Sequence, residues 1–279
     1  MSGDSPQNRA EQHSRHSRIV SPGGAATAAE GVLRCRFELK YQISESKAAA
    51  VEKFIQPYLG LDRYCKLQPT GSYPIVSLYL DSPDLKLCKE SLMGKKNRFK
   101  LRIRGYTDDV AYPKFFEIKR RLNTIIVKDR HRVMSRDIER LLSGGPLPEQ
   151  YYSTEQEPLK QFLFYLRSIN ARPLVCVRYL RRAYEDDSET RVRITFDRRL
   201  CYRMCSMPSI TLAGAGWQQH PINDVILEIK FTSRFPAWLT RMAKCLDLQQ
   251  WSFSKYVQCI QNACSMRFCS PEVYGFGWD

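Results

Sequence analysis

No run of about 18 consecutive apolar residues occurs in the 279-residue chain, so no segment reads as a membrane-spanning helix. The first residues lack the apolar core of a secretory leader, which points to a reducing cytoplasm and to thiols rather than disulfides. The cysteines at 35, 65, 88, 176, 201, 205, 245, 259, 264 and 269 form no CxxC pair. The histidines, His13, His16, His131 and His220, sit near no cysteine cluster, so a zinc site is not expected. Negative charge is also scarce: 29 Asp and Glu stand against 44 Lys and Arg, a net +15.

That imbalance is localised. Residues 1–32 carry Arg9, Arg15 and Arg18 against Asp4, Glu11 and Glu30 and sum to zero, so the excess lies beyond them. A charge of this size calls for a polyanionic partner: nucleic acid, an anionic membrane surface or a polyphosphate. The first 32 residues are small and polar and are expected to form a disordered tail. From residue 33 to 268 the chain reads as one domain, and 269–279 as a C-terminal tail. Apolar stripes predict helices in "SESKAAAVEKFIQPYLG", "SRDIERLLSGG", "PLKQFLFYLRSIN", "PAWLTRMAKCL" and "SKYVQCIQNACS", the first disturbed near its end by Pro57. Strands are predicted at 34–43, 73–80, 97–106, 113–120, 124–133, 173–185, 190–198 and 224–232. So little βαβ alternation implies an α+β fold with a mainly antiparallel sheet.

Three strands carry the same spacing: Glu38 and Lys40 in "FELKY", Glu117 and Lys119 in "FFEIKRR", Glu228 and Lys230 in "ILEIKF". Side chains alternate between the faces of a strand. Arg34, Arg36, Glu38 and Lys40 therefore share a face, as do Arg98, Lys100, Arg102 and Arg104. So do Lys128, Arg130 and Arg132, and likewise Arg191, Arg193, Thr195 and Asp197. A solvated sheet face normally mixes neutral polar residues with both charge signs. Adjacent strands bearing rows of Arg and Lys would repel one another, so an anion is expected to sit among them. An open basic platform would suit nucleic acid, but no aromatics interleave as stacking surfaces. A β-barrel with the charges inside and the helices packed outside uses every amphipathic stripe. On this reading Arg98, Lys100, Arg130 and Lys230 are substrate-binding candidates. Glu38, Glu117, Glu228 and Asp197 would pair with cations or hold a divalent metal, Glu228 being the preferred metal ligand.

Taken in order, "RFELKY", "SLYLDS", "KLRIRGY", "FFEIKRR", "VRYLRRAY", "RVRITFD", "LEIKF" and "FSKY" resemble the vacuolar transporter chaperone (VTC) domain. That domain is the polyphosphate polymerase branch of the triphosphate tunnel superfamily. The resemblance covers roughly residues 33–265. It implies a triphosphate tunnel: a mainly antiparallel barrel that moves the γ-phosphoryl group of ATP onto inorganic polyphosphate with Mn²⁺ or Mg²⁺. By matching motif it implies that Lys40, Arg102, Arg104, Lys119, Arg181, Arg193 and Lys255 carry the reaction. Lys128, Tyr179 and Ser254 would be further phosphate contacts, and Glu228 the metal ligand. The chain departs from hydrolysing relatives, which carry E-x-E-x-K on the first strand; here Arg36 takes the first acidic place. It also lacks the membrane helices and the inositol-phosphate-sensing domain of eukaryotic relatives. A cytoplasmic location is expected, any membrane attachment running through a separate membrane protein. The alternatives are a triphosphate or polyphosphate hydrolase and a non-catalytic polyphosphate-binding module. "CSPEVYGFGWD" at the end of the chain has no physical explanation.

Overall fold

The computed structural model describes residues 37–123, 125–152, 156–186, 192–232 and 235–266. Both expected tails, and Arg34, Arg36 and Arg191 of the expected charge rows, lie outside these residues. In chain order the elements are β1 (Phe37–Ile43), α1 (Glu45–Ile55), β2 (Gly60–Leu61), α2 (Arg63–Lys66) and β3 (Tyr73–Asp81). Then come α3 (Lys86–Leu92), β4 (Asn97–Gly105), β5 (Lys114–Leu122), β6 (Ile125–Val133), α4 (Ile138–Leu142) and α5 (Glu157–Ser168). The chain continues through β7 (Arg172–Glu185), β8 (Arg193–Met204), β9 (Gln218–Gln219), β10 (Val225–Phe231), α6 (Ala237–Cys245) and α7 (Lys255–Ser265).

The strands join in one antiparallel sheet ordered β1-β10-β8-β7-β3-β4-β5-β6, with β2 added to β7 and β9 to β8. The fold is therefore α+β, as expected. The closed barrel is corrected: among the described residues no ladder joins the edge strands β1 and β6. The physical reason lies at the free edge of β1. Tyr41 pairs there with Gln250, and the Trp251 N–H donates to the Lys40 carbonyl at 2.8 Å. The segment leading into α7 thus satisfies backbone groups that a closing strand would have used. The sheet still curls strongly, because Lys119 on β5 reaches Glu38 on β1 at 2.9 Å.

Alternation holds along every long strand. The convex face carries Val76, Leu78, Leu80, Leu101, Ile103, Phe116, Ile118 and Cys176 under α4 and α5. It continues as Tyr41, Ile43, Ile194, Phe196, Leu227 and Ile229 under α1 and α6. Ser44 caps α1 by accepting from the Lys47 N–H, and the helix stops before Pro57, whose ring cannot continue it. One helix breaks the expected pattern. Tyr256, Val257, Cys259, Ile260 and Ala263 of α7 cluster with Ile75, Tyr79, Val175, Val177 and Tyr179, which belong to the concave face. α7 therefore fills part of the inside of the curl, and the expectation that all helices pack outside is corrected. The long stretch 73–81 of β3, buried on both faces, is what this insertion requires.

β8 runs past its expected end at 198 because the register with β7 shifts between Arg178 and Leu180. Arg199 there adopts φ +54°, the local turn of a bulge that lets the strand continue. α3 was not expected; Asp81 builds it by accepting from the Leu87 and Cys88 N–H groups, each at 2.9 Å. Cys65, Cys88, Cys176, Cys201, Cys205, Cys245 and Cys259 are free thiols.

Candidate functional site

The concave face gathers the charged rows around three carboxylate-centred knots. In the first, register places Arg102 opposite Glu117 and Glu117 opposite Arg130. Glu117 is fully buried. Its carboxylate meets Arg102 at 2.7 Å, Lys128 at 2.7 Å, Arg130 at 3.3 Å and Arg104 at 3.9 Å. Burial alone would raise its pKa; Lys128, Arg102, Arg104 and Arg130 instead hold it well below the usual carboxylate range. Arg104 also donates to Ser77 Oγ at 3.2 Å and to the Tyr179 hydroxyl at 3.3 Å. Arg102 donates to the Tyr79 hydroxyl at 3.3 Å, and Arg130 lies over the Phe115 ring at 3.6 Å.

The second knot bridges the curl. Glu38 meets Lys40 at 2.6 Å and Lys119 at 2.9 Å, while Glu228 meets Lys230 at 2.6 Å and Lys40 at 3.7 Å. Burial opposes a charge on Lys40, but Glu38 and Glu228 outweigh it and raise the pKa above its ordinary value. Lys119 moves the other way, to about 8, because burial and then Lys40 outweigh the help from Glu38.

The third knot lies where α7 enters. Asp197 on β8 accepts two parallel bonds from Arg181, both at 2.7 Å, and meets Lys255 at 2.6 Å. Lys255 Nζ also stands 4.8 Å from the centre of the Tyr179 ring. Lys255 is the first residue of α7, and Ser254 caps the helix by accepting from the Val257 N–H. A cation at a helix N-terminus opposes the helix dipole, so this placement costs stability unless an anion faces it. Asp197 supplies that charge here, and the N-terminus of a helix suits an anion such as phosphate. Lys100 donates to Ser254 Oγ at 2.6 Å.

Every candidate from the sequence thus lies on the concave face, though not in one cluster. Arg98 faces Arg121 across β4 and β5 at one rim and is partly buried. Arg193 stands apart, held by the fully buried Asp62 at 2.7 Å and by Glu185, with the Tyr73 hydroxyl at 3.3 Å. Sequence reasoning missed Asp62, which lies on a turn outside any alternating strand. It also missed Ser77 and Tyr79, although their alternation with Tyr73 in "SYPIVSLYLD" carried the signal. Thr195 was placed on this face without a role. It is fully buried opposite Glu228 and Ala183, and its hydroxyl has no hydrogen-bond partner. An unsatisfied buried hydroxyl costs about 1–3 kcal/mol. Thr195→Val, nearly isosteric, is expected to stabilise the ligand-free protein by about 1 kcal/mol, seen as a higher urea midpoint with an unchanged slope. A lower midpoint would mean that the hydroxyl is satisfied in solution.

Among the described residues no three His, Cys, Asp or Glu side chains converge as a metal cage. Glu228 does offer carboxylate oxygen beside Lys40 and Glu38. Hard divalent ions are commonly held by one or two carboxylates, with substrate phosphates completing the shell. In this structure both Glu228 oxygens face lysine ammoniums, Lys230 at 2.6 Å and Lys40 at 3.7 Å. A cavity of about 580 Å³ lined by Leu39, Tyr41, Phe231, Phe235 and Leu248 opens on the convex side, away from these groups.

The class that the fold defines is an α+β protein with one curled antiparallel sheet, a cation-rich inner face and the N-terminus of α7 beside it. The VTC domain pattern matches residues 35–264, and the chain belongs to that family. No curated protein sequence matches it. Among solved structures, a Bacillus halodurans protein described as a suspected adenylate cyclase superposes with a TM-score of 0.45 at 12% identity, covering 81% of this chain and 96% of its own. The PH1819 protein of Pyrococcus horikoshii superposes with a TM-score of 0.41 at 12% identity, covering 82% and 98%. These superpositions are loose, and the family membership stands on the domain match alone. Among the described residues no helix is long and apolar enough to cross a membrane.

Proposed function

We propose that this protein is a polyphosphate polymerase that transfers the γ-phosphoryl group of ATP onto a growing inorganic polyphosphate chain lying along the concave face. The observation that carries the reading is the Glu117 knot. One fully buried carboxylate balances Arg102, Arg104, Lys128 and Arg130, and Arg104 is held in place by Ser77 and Tyr179. Such a face has more positive charge than its own acids offset, and a phosphate chain would supply the rest.

The chemistry asks for positioning and charge stabilisation rather than a covalent protein intermediate. A terminal phosphate oxygen of the chain attacks the γ-phosphorus, the bond to the β-phosphate bridging oxygen breaks, and ADP leaves with that electron pair. Arg102, Arg104 and Arg181 present guanidinium forks that can grip two phosphate oxygens at once. Lys40, Lys119, Lys128 and Lys230 present mobile point charges that suit a chain of equivalent phosphates sliding past. Arg193 and Arg98 would extend the track toward the rims, and Lys100, Arg130, Tyr179, Ser254 and Lys255 would contact phosphates between them. The internal carboxylates keep the cations apart and in place until phosphate oxygens displace them. Glu228 would hold a Mn²⁺ or Mg²⁺ ion, which when bound neutralises developing charge on the phosphates. The sequence carries no recognisable pocket for a purine base, so weak base selectivity is expected. Zinc and nucleic acid have no place in this reading. The protein would act in the cytoplasm, with a separate membrane protein as the partner for any attachment to a membrane.

Incubation with ATP and Mn²⁺ followed by gel resolution of the products tests the reading. A long polymer is the expected result. Free phosphate without polymer would make the protein a hydrolase, and intact ATP with tight polyphosphate binding would make it an accessory module.

A further inference from the structure

Lys100, on the concave face, has no acid beside it among the described residues. The β4–β5–β6 register sets Lys100, Lys119 and Lys128 directly opposite one another in a row. Lys119 leans on Glu38 and Lys128 on Glu117. Among the described residues Lys100 forms no ion pair; its ammonium meets the neutral Ser254 hydroxyl. The groups around it come from several elements. Arg98 precedes it on β4, Lys119 faces it from β5, Lys40 from β1 and the Cys88 thiol from α3. Ser254 brings in the positive end of α7. Asp81, at the end of β3, is occupied by the Leu87 and Cys88 N–H groups and by the Tyr256 hydroxyl. Burial first, and then Lys40, Lys119 and Arg98, hold the Lys100 pKa well below the usual lysine range.

We propose that Lys100 is an uncommitted cation of the phosphate track, neutral while no anion is present and an ammonium when a phosphate chain lies beside it. Chain binding at the α7 end of the track then takes up a proton. This rests on the reading of the concave face as a phosphate site and adds how that site is charged. A track filled with permanent cations would store their mutual repulsion whenever it was empty. A lysine that takes its proton only with the substrate avoids that cost and keeps a full charge for the bound state.

The experiment is calorimetric titration of the full chain with inorganic tripolyphosphate near pH 8, in buffers of different ionisation heat, which counts protons. Tripolyphosphate and Lys119 also titrate in this range, so the comparison with Lys100→Arg isolates Lys100, because a guanidinium stays charged throughout. Lys100→Arg is expected to take up about one proton fewer than the wild type, with affinity within roughly threefold. Lys100→Met is expected to show the same lost proton and about tenfold weaker binding, since it also loses a charge-assisted contact. Equal proton counts in wild type and both variants would overturn the assignment of Lys100 while leaving the phosphate site intact. Failure of the wild type to bind tripolyphosphate would overturn the phosphate reading itself.

Discussion

Arg104→Ala is expected to abolish polymer formation from ATP while leaving a folded domain. Arg104 is 6% exposed, and its guanidinium donates to Ser77 and to Tyr179 and shares Glu117 with Arg102. A preorganised donor of this kind, aimed at charge that develops during transfer, is worth roughly 10²–10³ in rate. Loss of the cation is thus expected to reduce kcat by at least that factor. Stability should change little, because Arg102, Lys128 and Arg130 lose a repelling neighbour as two hydrogen bonds disappear. A circular dichroism melt within a few degrees of the wild type, paired with a blank product lane, is the expected pattern. Full polymer yield from the variant would refute the assignment of the Glu117 knot to the reaction.

Glu117→Gln is expected to do the reverse and strike the fold. The side chain is fully buried and is the shared counter-ion of Arg102, Arg104, Lys128 and Arg130. Removing one partner from a buried ionic group costs about 3–5 kcal/mol, which for a domain of this size lowers the melting temperature by roughly 6–20 °C. Added tripolyphosphate should recover more of that loss in the variant than it adds to the wild type, because the ligand supplies the missing negative charge. The pH dependence has a definite sign. The Glu117 carboxyl is held well below the usual range, so its stabilisation is complete above about pH 4.3, the value for an unfolded glutamate. It is lost as pH falls through the folded value. Acid melts of the wild type should show that loss, and the variant should lack it. A variant as stable as the wild type at neutral pH would show that the four cations do not depend on this carboxylate.

Much of the site was legible because strand alternation is a local rule. Once "NRFKLRIRGY" is extended, Arg98, Lys100, Arg102 and Arg104 must share a face, and the ladder sets Arg121, Lys119, Glu117 and Phe115 opposite them. Alternation puts Tyr179 and Arg181 on one face and Arg178 and Arg182 on the other, but only the family resemblance pointed to the first pair. It could not rank the members of a row, since Arg102 and Lys100 look alike until one proves to have an acid and the other none. Nor could it find Asp62 for Arg193, a pairing across 131 residues.

The amino-acid order by itself determined the strands, their charged and apolar faces and the excess of cations on one of them, because alternation and helical periodicity act over a few neighbouring residues. The tertiary structure alone decided that the edge of β1 is taken by Gln250 and Trp251, so that the sheet curls without a closing ladder. It also decided that α7 lies inside the curl with Ser254 and Lys255 foremost, and that Lys100 is left without a carboxylate. Those outcomes depend on which distant groups compete for the same hydrogen bonds and the same few buried acids, and the winner is set only when the whole chain has packed.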